Sequence, residues 1–178
     1  MLPEPVLLTD YTRLPELFRL RTLAWENSDK VEYVNQNLFP EGWSDALDAN
    51  GQHLVVADDN GDFIAAARFN LFDSLAQFPH HAALRHLSLP PADPFSFFSR
   101  LVVHPAHRSQ GWSSRLDISR LLHCQLNSPV RWILVLATNE RMGGLVEKLR
   151  FRVVGEALVN YHVATLPHPV NVFIKELF

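Results

Sequence analysis

Two spacings of apolar residues alternate along this chain. Trp132, Ile133, Leu134, Val135, Leu136 and Ala137 form an unbroken apolar run of strand length, preceded by the turn residues Asn127, Ser128 and Pro129. A second such run, 97–103, stops at His104-Pro105, because proline donates nothing to a β-ladder. Beyond it, Trp112, Leu116, Ile118, Leu121, Leu122 and Leu126 fall near one face of a helix. Residues 97–122 therefore read as strand, polar turn with one glycine, helix.

The flanking segments fill in around that centre. Residues 6–9 read as a short strand. Thr12 is expected to cap a helix with Pro15 in its first turn, in which Leu14, Leu17, Phe18, Arg21 and Trp25 keep helical spacing. Val31, Val34, Asn35 and Leu38 suggest a second helical piece, ended by 39–43. Strands at 53–57 and 63–69 flank the turn 58–62, whose Asn60-Gly61 pair marks a hairpin. Residues 71–94 contain Pro79, Pro90, Pro91 and Pro94 and cannot be one helix, although 82–86 suits a short one. So long a connection reads as a substrate lid. After the run at 132–137, Asn139 opens a helix in which Met142, Leu145, Val146 and Leu149 keep the spacing i, i+3, i+4, i+7. Residues 151–156 read as another strand.

Composition narrows the classes. A length of 178 residues suggests one domain, 1–178, and 47% hydrophobic residues suffice for a packed core. A net charge of −3 gives no general attraction to nucleic acid or to anionic membranes. A single cysteine, Cys124, excludes an intrachain disulfide and suits a reducing compartment. The first residues carry no basic, apolar leader, so a cytoplasmic protein is expected. His80, His81 and His86 match no closed zinc spacing, and no metal is expected.

The chemistry concentrates at the turn. The first N–H groups of a helix lack internal partners and carry the positive end of its dipole, so a phosphate can rest on them. Gly111 lets backbone come close, Ser113 is small, and Arg108 and Arg115 add full positive charge. The stretch Arg108-Ser109-Gln110-Gly111-Trp112-Ser113 resembles motif A of the Gcn5-related N-acetyltransferase (GNAT) superfamily, Arg/Gln-x-x-Gly-x-Gly/Ala, with Ser at the last position. Asn139, Leu145, Glu147, Lys148, Leu149 and Phe151 are similar to its motif B.

The resemblance implies an α/β (α+β) fold: a mixed, mostly antiparallel sheet of six or seven strands, flanked by helices and splayed at strands 4 and 5. It implies acyl transfer from acetyl-CoA, or another acyl-CoA, to the amine of a small-molecule acceptor, and allows a homodimer. The donor would meet the backbone of Leu101, Val102 and Val103, then Arg108, Ser109, Gln110, Gly111, Trp112, Ser113 and Ser114, with Asn139 beyond. Tyr33, Trp43 and Arg100 are candidates for the acceptor side. The motif B tyrosine that often serves as general acid is Val146 here, and the family glycine that follows is Arg150. Tyr161 and His162 are the replacements considered for proton transfer, with His104 another. The Ser99-Arg100 pair behind a long insertion also resembles the acyl-homoserine-lactone and N-acyl amino acid synthases, in which Phe97 and Phe98 would wall an acyl tunnel. Loss of the usual proton-transfer groups leaves a non-catalytic coenzyme A sensor as a further alternative.

Overall fold

A computed structural model describes residues 3–28, 32–137, 143–160 and 167–177. Seven strands form one mixed sheet: β1 (Val6–Leu7), β2 (Gln52–Ala57), β3 (Phe63–Phe72), β4 (Phe95–Val103), β5 (Trp132–Ala137), β6 (Arg152–Val159) and β7 (His168–Glu176). Their hydrogen-bonding order is β1-β2-β3-β4-β5-β7-β6. The β4–β5 pair is parallel, and such a pair needs a crossover, supplied by helix α2 (Trp112–Asn127). The expected GNAT-like sheet is present, and the fully apolar run at 132–137 is the strand it promised.

Contacts divide the chain into two compact units. The first comprises Met1–Phe69 and Arg100–Arg120. Its first helix, α1 (Leu14–Glu26), has Pro15 in the opening turn. Thr12 does not cap it. Asp10 instead caps a 3-10 turn at Tyr11–Arg13 by accepting the Thr12 N–H at 3.1 Å. Leu17, Leu20 and Ala24 pack with Leu8, Val55, Ala66 and Val102 into this unit's core. The second helical piece expected at 31–38 is a series of turns over its described residues. Asn35 explains it: its side chain takes the Leu38 N–H at 3.1 Å, a local bond that competes with helix. Gly42 then passes against α1 with φ +98°. A Cβ there would lie 2.5 Å from the Phe18 carbonyl carbon, so only glycine fits.

The second unit comprises Asn70–Ser99 and Leu121–Phe178. Antiparallel β5–β7 and β6–β7 ladders join the β4–β5 pair here. The insertion read as a lid is packed instead. Its Phe78 and Leu84 are fully buried, and Phe78 joins Phe72, Phe95 and Phe97 in an aromatic cluster, with Phe95 stacked on Trp132. His86 bonds the Glu156 carbonyl of β6 at 2.8 Å. Residues Gly143–Lys148 form a π-helical segment where a regular helix was expected, and the Phe151 N–H returns to the Leu145 carbonyl at 3.0 Å.

Candidate active site

The turn from β4 to α2 is built by short-range bonds. The His104 N–H holds the Ile64 carbonyl at 2.8 Å, and the His104 ring Nδ1 accepts the Ala106 N–H at 3.2 Å. Ser109 (φ +63°) and Gly111 (φ +82°) then swing the chain so that α2 starts at Trp112, whose ring is buried. The Arg115 N–H bonds the Gly111 carbonyl at 3.1 Å, and the N–H groups of Trp112, Ser113 and Ser114 precede it at the helix's positive end. An added Cβ on Gly111 would meet nothing within 4 Å, so the space beside this glycine is open.

The two arginines expected here divide their labour. Arg108 turns to the other end of α1: its Nη1 and Nη2 donate to the carbonyls of Asn27 (2.8 Å) and Ala24 (2.6 Å). A cation there satisfies carbonyls that the helix leaves open and complements the negative end of its dipole. Arg115 lies with its guanidinium 5.1 Å from the Trp112 ring, and its Nη1 is buried with no hydrogen-bond partner among the described residues. A buried donor left unmade is costly, and an anion on the start of α2 would satisfy it. The open space and this orphaned donor fit a diphosphate.

One strand earlier, the β4–β5 ladder stops at Phe98↔Val135, while β4 runs on to Val103. Two residues past the last pair, Arg100 adopts φ +52°, a region non-glycine residues rarely occupy. Its side chain is 7% exposed, stacked 3.9 Å over the Trp43 ring, with Nε and Nη2 both donating to Asp45 Oδ2 (Nε at 2.8 Å). Asp45 also accepts from Arg68 at 2.6 and 3.1 Å. Asp48 bridges Arg68 (2.7 Å) and Arg21 (2.9 Å) and accepts the Asp45 N–H at 2.8 Å. His53 completes the group, taking a bond from Arg21 Nη2 at 3.4 Å on its Nδ1.

These charges set one another. Burial raises the Asp45 carboxyl, but Arg100 and Arg68 outweigh it and hold it far below the usual range. Asp48 is likewise lowered, by Arg21 and Arg68 against the pull of burial. Burial, aided by the Arg21 charge, pushes His53 down to about 4, so its ring is neutral near pH 7. Burial lowers Arg100 to about 10 although Asp45 opposes it, so it remains a cation. Neither aspartate is suited to act as a general base.

The sequence reading missed Arg21, Asp45, Asp48, His53 and Arg68. A signal existed: Asp45-x-x-Asp48 has capping-box spacing and forms one, and Arg68 interrupts an apolar strand. Of the acceptor-side candidates, Trp43 is buried in an edge-on pair with Trp25, Arg100 is engaged by Asp45, and Tyr33 is half-buried beside Glu32. A bond with Glu32 raises the Tyr33 phenol. A cavity of about 310 Å³ runs along α1, lined by Glu16, Arg19, Leu23, Glu26, Phe39 and His104, and neither Gly111 nor Arg100 borders it. Phe97 is buried and packed against Phe78 at 4.8 Å between ring centres. Asn139, Tyr161 and His162 lie outside the described residues. Val146, in the tyrosine position, is partly exposed, and Arg150 takes φ +56°, the conformation that the family's glycine would hold freely.

Comparison with solved structures places the fold. The chain is similar to a histone acetyltransferase HPA2 and related acetyltransferase from Corynebacterium glutamicum, at 18% identity and TM-score 0.66, covering 98% of this chain and 96% of that one. It is similar to NAA60 of Arabidopsis thaliana, solved in complex with acetyl-CoA, at 13% identity and TM-score 0.62, covering 98% and 97%. It is also similar to the acyl-homoserine-lactone (AHL) synthase LasI, at 14% identity and TM-score 0.65, covering 99% and 91%. Comparison with curated protein sequences found no match. The family model of the acetyltransferase (GNAT) family matches residues 14–149, and the chain belongs to that family. It is accordingly an acyltransferase. Among the described residues, no helix is long and apolar enough to cross a membrane.

Proposed function

We propose that the chain works as one domain that transfers the acyl group of an acyl-CoA, most simply acetyl-CoA, to the amine of a small acceptor. Two observations at the opening of α2 carry this: the space beside Gly111 is open ahead of the Trp112, Ser113 and Ser114 amides, and Arg115, one turn on, keeps a buried Nη1 without a hydrogen-bond partner among the described residues. The diphosphate of the donor rests there. The amides of Leu101, Val102 and Val103, on the part of β4 beyond its ladder with β5, run along the pantetheine arm and polarise the thioester carbonyl. The acceptor nitrogen attacks the carbonyl carbon, the C–S bond breaks, and the proton lost by the amine balances the one the thiolate gains. Holding the two reactants in line supplies much of the rate. The tight packing of Phe97 against Phe78 supports a short acyl chain over a long one. A buried, reduced Cys124 suits a cytoplasmic setting.

Calorimetric titration with acetyl-CoA and with a long-chain acyl-CoA, followed by turnover on a panel of amines, tests this. Saturable acetyl-CoA binding that is lost in Gly111→Arg, with acetylation of at least one amine, is the expected result. No binding at millimolar donor removes the reading. A preference for the long-chain donor replaces it with a synthase of the AHL type, and binding without turnover replaces it with a sensor.

A further inference from the structure

We propose that Asp45 and Arg68 are positioning residues for this transfer: they clamp the Arg100 guanidinium, the clamp holds the main chain at Arg100 in its left-handed kink, and the kink aims the amides of Leu101, Val102 and Val103. The inference rests on the acyltransferase reading above. A left-handed arginine in a strand costs free energy unless its surroundings determine it. Here they do. Two nitrogens of Arg100 grip one oxygen of Asp45, and the guanidinium carbon lies 3.9 Å from the centre of the buried Trp43 ring. Asp45 is in turn held by two nitrogens of Arg68 and donates its own N–H to Asp48, which is tied to Arg21 on α1. The chain of bonds therefore runs from helix α1 to the kink.

The kink's place gives it a purpose. A regular strand would present the residues after Phe98 in the same rhythm as those before it. The positive φ at Arg100 breaks that rhythm between the last residue paired with β5 and the three whose amides meet the donor. The side chain is 7% exposed while the residue as a whole is less buried than that, so what faces solvent at this point is main chain. An arginine whose guanidinium served as a substrate contact would show the opposite arrangement.

Glycine separates the two roles, because it holds φ above zero without a clamp and has no guanidinium. Steady-state kinetics on the intact protein would compare Asp45→Asn, Arg100→Ala, Arg100→Gly and the double variant Asp45→Asn/Arg100→Gly. Asp45→Asn and Arg100→Ala are expected to lower kcat by about 10- to 100-fold, the scale of a misplaced reactive centre. The donor KM is expected to move less than about threefold, because the diphosphate contacts near Gly111 are untouched. Arg100→Gly, alone or combined with Asp45→Asn, is expected to return kcat to within about threefold of the parent chain. Equal losses in Arg100→Gly and Arg100→Ala would overturn the proposal and make the guanidinium a substrate contact. Should Asp45→Asn fail to fold, the glycine and alanine pair at Arg100 decides alone. The one-bond Cα–Hα coupling of residue 100 reads the sign of φ without any substrate. It is expected to change in Asp45→Asn, and an unchanged coupling overturns the clamp. Absence of donor binding by the parent chain would overturn the acyltransferase reading and the positioning role together, while the coupling would still report whether the clamp exists.

Discussion

Acid should loosen this protein through His53 before it reaches the buried pair Asp45 and Asp48. The ring lies on β2, fully buried, opposite Arg68 in the β2–β3 ladder and against Arg21. Burial first, and the Arg21 charge second, lower its pKa from 6.5 to about 4. A histidine that must stay neutral when folded adds stability that is present above its unfolded pKa. That stability drains away as the pH falls from about 6.5 towards 4. A tenfold change in proton affinity between the folded and unfolded chain is worth about 1.4 kcal/mol, which sets a ceiling of about 3 kcal/mol on the contribution. Allowing for relaxation around the charged ring, the loss should be about 1 kcal/mol by pH 5.5 and about 2 kcal/mol by pH 4.5. Asp45 and Asp48 act in the same direction but at lower pH: their lowered pKa values supply stability that is present above the unfolded value of 3.8 and is lost as the pH falls below it. Urea unfolding followed by tryptophan fluorescence from pH 7.5 to 4.5, in the parent chain and in His53→Gln, would measure the difference. The variant should be flatter by the amounts given. Parallel pH profiles between 7.5 and 5.5 would refute the reasoning.

Three further predictions concern single side chains. Gly42→Ala should destabilise by more than about 2 kcal/mol in urea melts, because its Cβ would meet the α1 backbone at 2.5–2.6 Å at a φ that alanine resists. Arg150→Gly should raise stability by about 0.5–1 kcal/mol, since Arg150 is exposed at φ +56° and gives up only strain. The two arginines Arg108 and Arg115, between β4 and the first turns of α2, should part company. Arg108→Ala should cost about 1 kcal/mol of stability by uncapping α1, with donor affinity nearly unchanged. Arg115→Ala should weaken acetyl-CoA about tenfold in calorimetry, the worth of a charged hydrogen bond, and leave the melting temperature nearly unmoved.

What was legible in the chain was local. An apolar run of six at 132–137, a proline stop after Val103 and a glycine before a helical pattern specify strand, turn and helix, and they carried the family resemblance with them, although only Trp112, Leu116 and Leu121 of the expected apolar face of α2 are buried while Ile118, Leu122 and Leu126 are exposed. Local readings failed where a side chain competed with the backbone, as Asn35 does in the turns after α1, or where packing chose a different course, as with the insertion whose Phe78 fills the core of its unit. The charged cluster was beyond such a reading. Arg21, Asp45, Asp48, Arg68 and Arg100 are spread over 80 positions, and nothing in their spacing says which will meet. Likewise, motif spacing cast Arg108 as a phosphate ligand, yet the carbonyls that claim it lie 81 and 84 residues away. Secondary structure follows from neighbours along the chain, whereas ion pairs and the direction of a long side chain depend on what folding brings alongside, and only the tertiary structure decides that.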